Sequence, residues 1–178
     1  MITKAKEKIY EVKDFPKPGI GFKDITPLVQ DAACYNYVID RIVSWAKERK
    51  TELVAGIESR GFLFAAPVAH RLGLGLSIIR KKGKLPRQTV CVRAPNEYAL
   101  EHFEMHTDSV HPSQKVLIVD DLIATGSSSI SAIDLVKRLE GEVVGFVAVV
   151  ELSFLKGVEC IKKAHPDVDI MSLIQFEK

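Results

Sequence analysis

The chain has 178 residues, of which 47% are hydrophobic and 27% charged, and its formal net charge is +2. This fits one domain of ordinary size with ample apolar material for a core. The near-neutral balance offers no bulk electrostatic case for nucleic acid, and the longest apolar run, around VVGFVAVV, is far too short to span a membrane as a helix. Cys34, Cys91 and Cys160 lie far apart with no CxxC pair, a pattern of reduced thiols. The N-terminal stretch MITKAKEKIYEVKDF is charged and lacks the apolar centre of a signal peptide. A soluble cytoplasmic protein without nucleic-acid or membrane partners is expected.

Residues 1–30 contain three prolines and two glycines and are expected to form a small irregular subdomain. Residues 31–50 place Tyr35, Val38, Ile39, Ile42, Val43 and Trp45/Ala46 at helical spacing, with Asp31 as a cap and basic residues crowding the end. ELVAGI at 52–57 reads as a buried strand. GFLFAAPVAHRLG at 61–73 reads as a short apolar helix with Gly73 beyond its last turn. A strand at 76–80 leads into the basic, Gly/Pro-punctuated loop KKGKLPRQ, and VCVRA at 90–94 is a further strand. Residues 96–107 have no clear period. A strand at 116–120, a helix at 127–140, a long buried strand at 142–152, a helix at 154–165 and a strand at 169–177 complete the chain. Continuous apolar strands alternating with helices predict an α/β fold: a mainly parallel central sheet flanked by helices. No internal repeat or linker interrupts it, so a single domain over 1–178 is expected, roughly 31–178 as the core and 1–30 as a hood.

The stretch VLIVDDLIATGSSS, 116–129, carries the most chemistry. A strand feeding a Gly/Ser/Thr loop and then a helix presents backbone N–H groups and hydroxyls to an anion. In an open parallel sheet this loop lies beyond the carboxyl ends of the strands, where ligands bind. Asp120 and Asp121 would repel a phosphate alone. They suit a ligand that combines a phosphate, hydroxyls and a cation, because carboxylates accept ribose hydroxyl protons and favour a nearby Mg²⁺. The same residues could also serve only as a turn cap and a plain loop. No Gly-Lys-Ser/Thr occurs, so this is not a Walker loop.

This stretch resembles the phosphoribosyl-diphosphate (PRPP) motif of type I phosphoribosyltransferases. DFPKPGIGFKDITPL (14–28), GIESRGFLFAAPVAHRLGLG (56–75), IIRKKGKLPR and SLIQFE resemble the matching segments of the adenine phosphoribosyltransferases, so the likeness spans roughly residues 10–177. It implies a purine-salvage enzyme that forms AMP and diphosphate from adenine and PRPP. Ala124, Thr125, Gly126, Ser127 and Ser128 would hold the 5′-phosphate, and Asp120 and Asp121 the ribose hydroxyls. Glu58, Ser59 and Arg60 would meet the diphosphate, with Arg80, Lys81 and Lys84 adding positive charge. Gly21, Phe22 and Lys23 would line the adenine pocket. The resemblance further implies a homodimer, Mg²⁺ bound mainly through PRPP and water rather than by direct protein ligands, and a cis peptide at Glu58–Ser59. It places the base that takes the adenine proton at Glu101, in YALE, from the candidates Glu97, Glu101 and Glu104.

Three departures stand out. Ser127 occupies a usual glycine position, so its φ must suit a Cβ. The segment EYALEHFEMHTD is about four residues shorter than the comparable loop. His102 stands where a tyrosine is common, and it is the histidine most worth following; the other four are expected to be structural or solvated. Two other readings compete. A 6-oxopurine phosphoribosyltransferase would carry an aspartate where Ala124 stands. A PRPP-sensing regulator would need a nucleic-acid-binding element, and no basic helix or helix-turn-helix pattern is evident.

Overall fold

The computed structural model describes residues 1–19, 21–95 and 101–177. The chain divides into two units, Met1–Arg41 and Ile42–Lys178.

In the first unit a short helix α1 (Ile2–Glu7) precedes strands β1 (Tyr10–Val12) and β2 (Phe22–Asp24) and helix α2 (Thr26–Gln30). β1 and β2 pair antiparallel, Tyr10 opposite Asp24 and Val12 opposite Phe22. This hairpin is a correction to the expected irregular segment: three-residue strands are too short for a period-two pattern to show. The Phe15 and Phe22 rings pack edge to face, 5.1 Å apart and 71° between planes. Asp31 caps helix α3 (Ala32–Glu48) by accepting the Cys34 amide at 3.0 Å, and the Lys4 and Lys8 ammonium groups approach its other oxygen. The Cys34 amide and then Lys4 hold the Asp31 carboxyl well below the usual range.

The second unit is built on a sheet that, among the described residues, has seven strands. Its strands are β3 (Leu53–Ile57), β4 (Gly75–Lys81), β5 (Thr89–Arg93), β6 (His102–His106), β7 (Lys115–Ile123), β8 (Glu142–Leu152) and β9 (Ile170–Phe176), in the order β5-β6-β4-β3-β7-β8-β9. β4, β3, β7, β8 and β9 run parallel, while β6 pairs antiparallel with both β4 and β5. Every residue of β3 is buried, as a parallel strand covered on both faces requires. Helices α4 (Gly61–Leu72), α5 (Ser127–Arg138) and α6 (Gly157–Ala164) follow β3, β7 and β8 respectively. Gly73, at φ +67°, ends α4 in the left-handed conformation that favours glycine. The mainly parallel sheet flanked by helices agrees with the fold class expected from the sequence.

Two boundaries differ. β6 lies in a segment with no readable period, because Phe103, Glu104 and Met105 are all buried and no alternation survives. The expected helix at 154–165 is broken: a 3-10 turn at Ser153–Leu155 ends at Lys156, φ +56°, and α6 restarts at Gly157.

Candidate active site

Strand order reverses at β3. The chain leaves β3 toward β4 on one side and later places β7 on the other. The carboxyl ends of β3 and β7 therefore flank a topological switch point, where an open parallel sheet forms its ligand crevice. Glu58, Ser59 and Arg60 follow β3; Asp120 and Asp121 lie near the carboxyl end of β7; Ala124 to Gly126 link β7 to α5. A cavity of about 280 Å³ opens there, lined by Glu58, Ser59, Arg60, Lys81, Glu101, Asp120, Asp121, Ala124, Thr125, Gly126 and Ser128.

The aspartate pair is deeper than a position at the mouth of a loop. β7 continues to Ile123, so Asp120 and Asp121 are strand residues, only 5% and 7% exposed. Asp120 Oδ1 accepts the Asp121 amide at 2.9 Å, and Arg60 Nη2 lies 2.8 Å from Asp121 Oδ2. Burial pushes the Asp120 carboxyl up, and the neighbouring Asp121 charge adds to it. Burial also raises Asp121, against the opposing pull of Arg60. Gly61 permits this packing: a Cβ there would sit 2.8 Å from Asp120 Oδ1 and 3.1 Å from Val119 O.

The anion loop is shaped by two glycines in contact. Gly126 takes φ +86° ahead of α5, and a Cβ on it would fall 2.7 Å from Gly157 O. A Cβ on Gly157 would fall 2.3 Å from Ala124 O. The start of α6 thus fits against the backbone of the loop. Ser127 is the first residue of α5, so its Cβ is accommodated in ordinary helical geometry. Its Oγ reaches Pro95 O at 3.2 Å and lies 3.3 Å from Thr125 Oγ1. The helix N-terminus leaves the amides of its first turn available to an anion at the cavity wall.

On the β3 side the Glu58–Ser59 peptide is cis, as the sequence reading expected. The Glu58 side chain gathers the basic loop. It accepts Arg80 Nε at 3.2 Å and the Lys81 amide at 2.9 Å, and it forms a short contact with Lys84 Nζ. Burial alone would raise the Glu58 carboxyl, but the hydrogen bonds from Lys84, the Lys81 amide and Arg80 outweigh it and hold the pKa at about 2. A lowered folded-state pKa gives stability that is present above the ordinary value of 4.5 and is lost as pH falls toward 2. Glu58→Gln should therefore unfold with a flatter pH dependence between those two values than the parent, read by circular dichroism. An unchanged acid limb would remove the assignment.

The expected site residues divide into three groups. Eleven of the expected positions line one cavity: Glu58, Ser59, Arg60, Lys81, Glu101, Asp120, Asp121, Ala124, Thr125, Gly126 and Ser128. Arg80, Lys84 and Ser127 are not among its lining; the first two are drawn onto Glu58. Gly21, Phe22 and Lys23 belong to the first unit, where Lys23 Nζ pairs with Glu11 Oε2 at 3.2 Å. Glu97, one of the proton-acceptor candidates, lies outside the described residues. Glu101 Oε1 contacts Lys81 Nζ at 2.8 Å. Glu104 is buried away from the cavity lining and accepts backbone amides. Gly61 and Gly157 support the site without any mark in the sequence, because a glycine within or at the start of a helical pattern gives no sign of what a Cβ there would strike.

Comparison with known proteins agrees with this geometry. Residues 33–176 match the family model described as phosphoribosyl transferase domain. An adenine phosphoribosyltransferase of Caldicellulosiruptor bescii is 49% identical over 172 residues, covering 97% of this chain and 96% of that protein. The crystal structure of the adenine phosphoribosyltransferase from Thermoanaerobacter pseudethanolicus superposes with a TM-score of 0.92 at 44% identity, over 99% of this chain and 100% of that one. The Saccharomyces cerevisiae enzyme, crystallised with D-2,5-dideoxy-2,5-imino-altritol 1,6-bisphosphate and adenine, gives 0.88 at 32% identity, over 97% of each chain. A buried aspartate pair and a glycine-shaped anion loop at the switch point, in a chain this similar over nearly its whole length, place it in the phosphoribosyltransferase family, among the adenine phosphoribosyltransferases.

Proposed function

We propose a division of labour among these residues in a purine-salvage transferase that joins adenine to PRPP, forming AMP and releasing diphosphate. The observation that carries it is the convergence, in one cavity, of an anion loop, two buried carboxylates and a cationic edge. The backbone and hydroxyls of Ala124–Ser128 hold the 5′-phosphate. Asp120 and Asp121 accept the ribose hydroxyl protons, which offsets the cost of their burial once the sugar is in place. Arg60 and Lys81, with the Ser59 backbone, stabilise the charge that grows on the diphosphate as its bond to C1′ breaks; Arg80 and Lys84 extend that positive field. N9 of adenine forms the new bond to C1′, and Glu101 takes the proton the imidazole ring must lose. Gly21, Phe22 and Lys23 recognise the base. The first position of the anion loop is Ala124, which cannot take a proton, and this disfavours a 6-oxopurine substrate.

Mg²⁺ fits this site as a companion of PRPP. Four carboxylates line the cavity, Glu58, Glu101, Asp120 and Asp121, while among the described residues no three His, Cys, Asp or Glu side chains gather into a metal cage. Mg²⁺ keeps much of its water and binds through substrate phosphates with few protein ligands. It would neutralise charge on the diphosphate while Asp120 and Asp121 fix the ribose beside it. Among the described residues no helix is long and apolar enough to cross a membrane. A cytoplasmic homodimer completes the proposal.

The reaction is tested by AMP formation with equimolar diphosphate release from adenine and PRPP; absence of either product refutes it. The loop assignment has its own test. Ser127→Gly should be tolerated, while Ser128→Phe should raise the PRPP KM, since each hydrogen bond lost to a charged oxygen costs about 1.5–3 kcal/mol. Unchanged PRPP affinity in Ser128→Phe would show that the loop holds something else.

A further inference from the structure

Glu104 is a buried carboxylate with no place in the chemistry above. It sits in the middle of β6, 4% exposed, opposite Arg80 of β4 on one side and Cys91 of β5 on the other. Its Oε1 accepts three consecutive backbone amides, those of Gly83, Lys84 and Leu85, at 3.0, 3.1 and 3.0 Å. Its Oε2 lies 3.4 Å from Thr89 Oγ1. Three successive N–H groups converging on one point form a concave anion site of the kind that elsewhere holds phosphate. Gly83, at φ +87°, supplies the left-handed residue that turns them inward. Here the anion is the protein's own side chain. β6 adds a further tie, because the Lys82 amide donates to His102 O at 2.9 Å.

The consequence falls on the cations. Residues 81–85 carry three lysines: Lys81, at the cavity, Lys82, and Lys84, whose ammonium pairs with Glu58; Arg80 Nη1 donates to Lys84 O at 3.3 Å. A flexible basic loop would spread these charges over many conformations and would lose entropy on meeting an anion. A loop wrapped on a fixed carboxylate has lost that freedom already. Burying the carboxylate is tolerable only because its amide partners are complete.

We infer that Glu104 is a positioning residue: by holding the 83–85 backbone it presets the lysines of the basic loop for the diphosphate group. This rests on the diphosphate role proposed above for that loop. The test compares two ligands that share one site but differ in that group. AMP carries base, ribose and 5′-phosphate without diphosphate; magnesium diphosphate carries the rest. Glu104→Gln keeps the shape and one acceptor oxygen but loses the charge. It should weaken diphosphate affinity and raise the PRPP KM by about tenfold or more, the scale of a small misplacement of binding groups, and leave AMP affinity unaltered. Adding Glu104→Gln to Lys84→Ala should cost little beyond Lys84→Ala alone, because both act through one element. Equal weakening of AMP and diphosphate, or a lowered Tm with diphosphate affinity intact, would reduce Glu104 to a purely structural part and overturn the inference. Should Glu104→Ala fail to fold, the isosteric Gln variant carries the comparison. Wild-type turnover of adenine with PRPP is the control: its absence would overturn the reaction and this role together, whereas normal turnover with unaltered diphosphate affinity in Glu104→Gln refutes only the role of Glu104.

Discussion

Glu101→Ala should lower kcat by about 10²–10⁴-fold, the usual worth of a positioned general base, with the fold intact. Among the described residues Glu101 is the one of the three candidate glutamates that lines the cavity. Glu104 is excluded from proton transfer by its three backbone amides and its burial, so its removal should act on ligand affinity and not on the chemical step. Glu101 Oε1 contacts Lys81 Nζ, one of the cations proposed to meet the diphosphate. The same group would return the proton in the reverse reaction, by microscopic reversibility. Steady-state kinetics of Glu97→Ala and Glu101→Ala decide the matter. A collapse of kcat in Glu97→Ala, with Glu101→Ala near normal, would move the base to Glu97 and overturn the assignment.

The second large effect is a trade between stability and affinity at Asp120. Its carboxyl is raised by burial and by Asp121, so the ionised form is disfavoured in the folded chain. A raised folded-state pKa contributes stability that is complete below the ordinary carboxyl value and is lost as pH rises through the folded value. At neutral pH the free protein therefore carries a cost that hydrogen bonds from a ligand's hydroxyls would offset. Asp120→Asn keeps an oxygen for the Asp121 amide and removes the charge. It should raise Tm of the ligand-free protein by about 2–4 °C for each kcal/mol relieved, and more at pH 8 than at pH 5. It should also lower kcat/KM for PRPP, since each charge-assisted hydrogen bond to a ribose hydroxyl is worth about 1.5–3 kcal/mol. A variant that is less stable at pH 8, or that binds PRPP as the parent does, would contradict this account of the pair.

Much of this was legible in the residues, for physical reasons that differ from place to place. The run from β7 through the anion loop into α5 is readable because apolar continuity, small loop residues and a helical period change abruptly within fourteen residues. Even there the depth of the aspartates was not readable: the pairing with β8 carries β7 on to Ile123, and that pairing depends on a strand twenty residues away. β6 escaped because a glutamate between Phe103 and Met105 looks like a solvent-facing position, whereas its partners are amides of a distant loop. The break before Gly157 escaped because FLKGVECIKKAH is a good helical pattern. At the break Lys156 turns to φ +56°, and Ala124 O leaves no room for a side chain at the glycine that follows. The β1–β2 hairpin was hidden by its short strands. In each case a local pattern was overridden by a contact made far along the chain.

The most direct test of the central claim is base selection. The purified protein is incubated with Mg²⁺, PRPP and each of adenine, hypoxanthine, guanine and orotate, and nucleotide formation is followed by chromatography. The account predicts AMP from adenine and no comparable product from the other three. IMP, GMP or orotidine monophosphate formed at a rate matching or exceeding AMP, or no nucleotide with any base, would contradict it.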